Sequence, residues 1–292
     1  MLIPPYLYSA KFCDGFFEVN LQLLQASHRY LDRAGIDLPV VPVFAASLLE
    51  YGPQKAWADG IDRYLGVTDT LNARFVALSW STSAPGAESY AKLAHLLAAT
   101  RHASARRPVL AWRQGLYGLA LAAVGAIGYE TGAGQSERCH YPDFAANRRP
   151  HVRDDDEESG GGGAAGIYFS TFGRSIPRKV GGALLSNRQL RGSLVCTEPA
   201  CCPDGATSMI NEWREHAIYT RSRELRHLDQ IPPSLPWRMN HLARQTERSV
   251  ADARLANSVL SKQGVKQKLP ENTFRSLARV ADELRAQATQ VA

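Results

Sequence analysis

Apolar residues along this chain follow two alternating rhythms. Short runs at residues 40–45, 75–80 and 109–112 are too brief for helices. Each ends in small or polar residues and gives way to a longer stretch with apolar positions three and four apart. A fourth run, 126–129, follows the last of those stretches. Within 16–34, Phe17, Leu21, Leu24, Tyr30 and Leu31 keep helical spacing, and Gly35 stands where a helix C-terminus is capped. Trp57, Ile61, Tyr64 and Leu65 repeat the stripe after Pro53, a residue tolerated in a first helical turn. Residues 86–104 and 116–124 complete the helices, the second bearing glycine and alanine that permit close packing. Strands alternating with helices pair in parallel through crossovers, and a long series predicts an α/β fold of the (β/α) TIM-barrel type.

The opening residues 6–10 predict a first strand, and 167–170 and 193–196 two later ones. That makes seven; an eighth is expected near 179–185, and an incomplete barrel is the alternative. From 206 the pattern turns helical, over 206–228, 237–262 and 271–289, with Pro232, Pro233, Pro236 and Pro270 at the breaks. Two regions follow: a barrel over 1–230 and a helical extension over 231–292. Inside the barrel, 147–163 carries Asp154 to Glu158 beside four glycines; such a segment buries no apolar surface and is expected to be a mobile insertion.

Charge adds one thing to this outline. The net charge is +6, and from Gly205 onward 14 Lys and Arg stand against 9 Asp and Glu. The C-terminal helices are therefore basic, either as solvated faces or as a surface for nucleic acid. No apolar stretch approaches the roughly 18 residues that span a membrane. Five cysteines are too few for a disulfide framework, and with no signal-peptide pattern at the N-terminus they predict a reducing, cytoplasmic setting. Oligomeric state is not legible.

In a (β/α) barrel the chemistry sits at the C-terminal ends of the strands. There Arg113 offers a bidentate donor for a carboxylate or phosphate, and Glu130 and Asp14 offer a base or nucleophile. The competing expectation is an Arg113–Glu130 salt bridge that closes the barrel mouth. Two glycines after Glu130 expose backbone N–H groups, as an anion cradle or simply a tight turn. Cys196, Cys201 and Cys202 crowd one short stretch, and His216 and His227 follow. Three thiolates and an imidazole make a tetrahedral zinc site; buried or redox-active thiols are the other reading. His227 is the expected fourth ligand, with His216 its competitor.

A barrel followed by a late cysteine cluster and a histidine 25 positions on, from Cys202 to His227, resembles the tRNA-guanine transglycosylases and their DNA-modifying relatives. The resemblance implies a Cys3His zinc site at Cys196, Cys201, Cys202 and His227, and exchange of guanine for a 7-deazaguanine through an aspartate nucleophile, which has no counterpart placed in this chain. The family spacing is closer to Cys-x-Cys-x-x-Cys, and its Asp-Ser-Gly-Gly-Phe-Gln motif does not occur here. The expectation is thus a barrel enzyme acting on a nucleobase or nucleic acid. The alternative is a non-catalytic barrel scaffold whose basic tail binds nucleic acid or a partner protein.

Overall fold

A computed structural model describes residues 1–10, 15–47, 54–71, 73–81, 86–132, 137, 139–141 and 166–290. Asp14 and the acidic, glycine-rich 147–163 lie outside these residues. The first half alternates as the sequence pattern requires: α1 (Gly15–Ala34), β1 (Val43–Ser47), α2 (Gln54–Thr68), β2 (Val76–Ser81), α3 (Tyr90–Ser104), β3 (Val109–Ala111), α4 (Gly118–Ala123) and β4 (Gly128–Tyr129). The four strands form one parallel sheet in the order β1-β2-β3-β4. Sequential neighbours joined by helices are what crossover connections produce. Ahead of β1, Leu2 and Ser9 make parallel bridges to Val40 and Ala46, so the opening segment runs along that edge.

Both faces of the sheet are covered, which is why every residue of β1 and β2 is buried. One face, with Phe44, Leu78 and Trp80, meets Trp57, Ile61, Tyr64, Leu93, Leu96 and the helices that carry them. The other, with Val43, Ala45 and Ala77, is lined by Tyr6, Trp112 and Tyr141. Gly118 lies against the Tyr129 ring so closely that an added Cβ would fall 2.3 Å from it. Gly118→Ala must push α4 off the sheet edge, and is expected to cost about 1–3 kcal/mol in urea unfolding.

The second half departs from the barrel pattern. β5 (Gly166–Phe169) and β6 (Arg174–Pro177) pair antiparallel in a separate two-stranded sheet. The strand expected near 179–185 is instead a helix, α5 (Arg178–Ser186), because Val180, Leu184 and Leu185 are buried at helical spacing. Residues 193–196 are not a strand either. They end α6 (Arg188–Leu194), which the Asn187 side chain starts by accepting from the N–H groups of Gln189 and Leu190. The architecture is therefore mixed α/β around a four-stranded parallel sheet.

The remaining helices are α7 (Ala206–Asn211), α8 (Trp213–Asp229), α9 (Leu235–Lys262) and α10 (Glu271–Gln290). α9 joins the two cores. Its Met239, Leu242 and Ala243 enter the core of the parallel sheet, while Ala253, Ala256 and Leu260 enter the core around β5 and α5. None of the described helices is long and apolar enough to cross a membrane.

Candidate metal centre

After α6 the chain makes a tight turn in which the Cys201 and Cys202 N–H groups both donate to the Glu198 carbonyl. One short helix, α7, follows, and α8 begins beside the thiols. His216 occupies its first turn, its N–H bonded to the Glu212 carbonyl at 2.9 Å. The sulfurs of Cys196, Cys201 and Cys202 and a ring nitrogen of His216 all lie within 4.8 Å of one another. The cluster could hold a metal ion.

Its details suit that role. His216 Nε2 lies 2.9 Å from the Tyr168 carbonyl, which can only accept, so Nε2 carries the proton. Nδ1 is then left with its lone pair, 3.3 Å from both the Cys201 and the Cys202 sulfur. A backbone carbonyl that fixes the tautomer of a ligating histidine is the usual outer partner of such sites. Burial holds the His216 pKa below the ordinary imidazole value, which keeps the ring neutral. The Cys201 and Cys202 sulfurs are 3.6 Å apart. Zn–S bonds of about 2.3 Å set the corners of a tetrahedron roughly 3.8 Å apart, so the donors stand near the required spacing. Burial pushes the Cys201 and Cys202 thiols above their usual pKa, so at neutral pH they are protonated until a cation displaces the protons.

The fourth donor is a correction to the sequence reading. His227 lies 11 positions further along α8, about 16 Å at 1.5 Å per residue. Its ring rests instead on His241 of α9, the centroids 5.2 Å apart. The break between α7 and α8 near Glu212 brings the first turn of α8, not its last, to the thiols.

The strand-end group is built differently. Arg113, just beyond β3, has φ 58°, and among the described residues no other non-glycine has a positive φ. That left-handed turn aims its backbone N–H at the Glu130 carboxylate, 2.9 Å away, and Glu130 follows β4. Gln114 completes the junction: its backbone N–H donates to the Glu130 carbonyl and its side-chain amide to the Trp80 carbonyl at 2.7 Å. Arg113 and Glu130 are thus brought together, through the backbone of one and the side chain of the other. Strained φ values of this kind gather at functional sites.

Tyr141, which sequence reasoning missed, joins Ser79 and Ser81 in one polar group on the sheet face that carries Ala77. The Tyr141 hydroxyl lies 3.0 Å from Ser79 Oγ, and the Tyr141 N–H donates to Ser81 Oγ at 3.1 Å. Cys139 sits here with its sulfur 3.4 Å from Ser79 Oγ. Burial pushes its thiol up to about 11, so it is no nucleophile at neutral pH. The alternation of Ser79 and Ser81 along β2 was the signal for this polar face.

No family model matches the chain, and no curated protein does. Among solved structures it is similar to Rhizobium etli pyruvate carboxylase, at 12% identity and a TM-score of 0.31. The match covers 96% of this chain and 25% of that one, a likeness too slight to assign a fold or a function.

Proposed function

We propose that this chain is an incomplete (β/α)-barrel enzyme that exchanges a nucleobase in nucleic acid, with a structural zinc ion at Cys196, Cys201, Cys202 and His216. The reading is carried by the Cys3His cluster standing behind a run of sequential parallel βα units, the arrangement that resembles the transglycosylases. A reducing, cytoplasmic setting suits thiols kept for a metal. Zinc here would order the turn after α6 and take no part in the chemistry.

Base exchange breaks one N-glycosidic bond and makes another. A carboxylate, Glu130 or Asp14, attacks the sugar C1′ as the outgoing base leaves with the bonding electrons. The incoming base then attacks C1′ through a deprotonated ring nitrogen and releases the carboxylate. Arg113, beside Glu130, balances the negative charge of a phosphate or of the departing base. The scaffold reading is favoured by one observation, the engagement of the Glu130 carboxylate by a backbone N–H.

One experiment separates the two. Purified protein is incubated with labelled guanine or a labelled 7-deazaguanine and either duplex DNA or tRNA. Label is expected in one of the polymers, and Glu130→Gln is expected to lower its incorporation by about 100-fold or more. No label in either polymer would rule out base exchange and leave the scaffold.

A further inference from the structure

The basic helices meet in a cleft of 690 Å³ between α8 and α9, floored by the turn after β5. From α8 it receives Arg223, Glu224 and His227, which share one face because 223 and 227 are one turn apart. From α9 it receives His241, Arg244, Arg248 and Asp252, at steps of three and four. The hydroxyls of Ser170 and Thr171 close the floor.

Among the described residues neither carboxylate of the cleft forms an ion pair with its arginines, although the Arg223 charge acts on Glu224. Glu224 accepts hydrogen bonds from the Tyr168 hydroxyl at 2.7 Å and the Ser170 hydroxyl at 2.5 Å, and burial pushes its pKa up. Burial raises Asp252 as well. Among the described residues neither Arg244 nor Arg248 forms an ion pair, and both are exposed. Arg223 reaches only Glu198, at 3.7 Å. Beside them the half-buried His241 carries a pKa held below the ordinary value, by burial first and then by His227 and Arg248.

We propose that this cleft binds phosphate groups, with Arg223, Arg244 and Arg248 gripping the oxyanion and His241 adding charge when protonated. Three guanidinium groups around one cleft exceed what a single carboxylate can accept, whereas a phosphate or phosphodiester has oxygens facing several directions. A bound anion offsets the burial and the neighbouring Arg248 charge that disfavour a protonated His241 ring, so binding takes up a proton there and tightens as pH falls. Glu130 is not among the residues that line the cleft, and the site stands whether or not the chain exchanges bases.

The test uses the intact protein and two probes: inorganic phosphate, followed by NMR shifts of the His227 and His241 rings, and a short labelled oligodeoxynucleotide, followed by anisotropy. Arg244→Ala with Arg248→Ala is expected to weaken binding about tenfold or more, and to lower the salt slope for the oligonucleotide by about 2. The Arg→Lys pair should recover part of the affinity. Oligonucleotide affinity should rise between about pH 7.5 and about pH 6 in the parent and rise less in His241→Asn, since a phosphodiester does not itself titrate there. Loss of both probes in the alanine pair assigns the site to nucleic-acid backbone; loss of phosphate alone assigns it to a small phosphate ligand. Affinities within twofold of the parent for both probes would overturn the site, even with base exchange intact.

Discussion

Removing the metal by chelation, or replacing Cys202 with serine, is expected to lower the thermal midpoint by about 10 °C or more. Fresh protein should carry close to one equivalent of zinc. The size of the effect follows from what the cluster replaces. The segment from Val195 to Gly205 contains no regular element, and α7 is only six residues long. A helix that short does not hold its shape alone. The buried contacts of Cys202 and Met209 with the core around β5 are the other restraint on this turn. The ligand set is the sharper discriminator: His216→Ala should lose the zinc, whereas His227→Ala should keep it. The reverse result, or less than about half an equivalent in the parent, would remove the centre.

The pH dependence has a fixed sign. Without metal the thiols are protonated at neutral pH, because burial raises Cys201 and Cys202. Binding therefore releases protons, affinity climbs as pH rises, and acid expels the ion. Calorimetry in two buffers of different ionisation enthalpy reads the number released; a value near zero would mean that the thiols are not ligands.

The part of the fold legible in the sequence was the part specified by periodicity. The stripe Trp57, Ile61, Tyr64, Leu65 is fully buried, and the runs around β1, β2 and β3 are neighbouring parallel strands as expected. The barrel count went astray in the second half, where short apolar runs have no period of their own. Val180, Leu184 and Leu185 read equally as strand or helix until burial decides. The three cysteines marked the cluster that could hold a metal ion, but the histidine depended on where α8 starts. Glu212, with φ −107° and ψ 41°, interrupts the helix without a proline or glycine to mark it. The junction at Arg113 could not be foreseen, since a positive φ at arginine leaves no trace in composition. Nor could Glu137, which no pattern singled out.

Glu137→Ala is expected to destabilise the protein by about 3–5 kcal/mol, although the residue belongs to no regular strand or α-helix. Its carboxylate forms an ion pair with Arg221 of α8 in which the side chains are 2% and 6% exposed. The same carboxylate accepts the Ser175 N–H of β6 at 2.9 Å and the Ser175 hydroxyl. Arg221 meanwhile donates to Thr131 Oγ1 at 3.0 Å, just beyond β4, and its guanidinium lies 4.2 Å from the Tyr168 ring centre. One buried pair thus ties the end of the parallel sheet to β5, β6 and α8. Truncating the acid leaves a guanidinium sealed from water without its counter-charge and orphans the Ser175 N–H, each a costly state. Arg221→Met should cost a similar amount. The double variant, Glu137→Ala with Arg221→Met, removes both charges together and should cost clearly less than the sum, by about 1 kcal/mol or more. Urea unfolding of the four proteins measures the coupling. Additive losses, or a single-variant cost below about 1 kcal/mol, would mean that apolar contacts along α9 alone hold the two halves together.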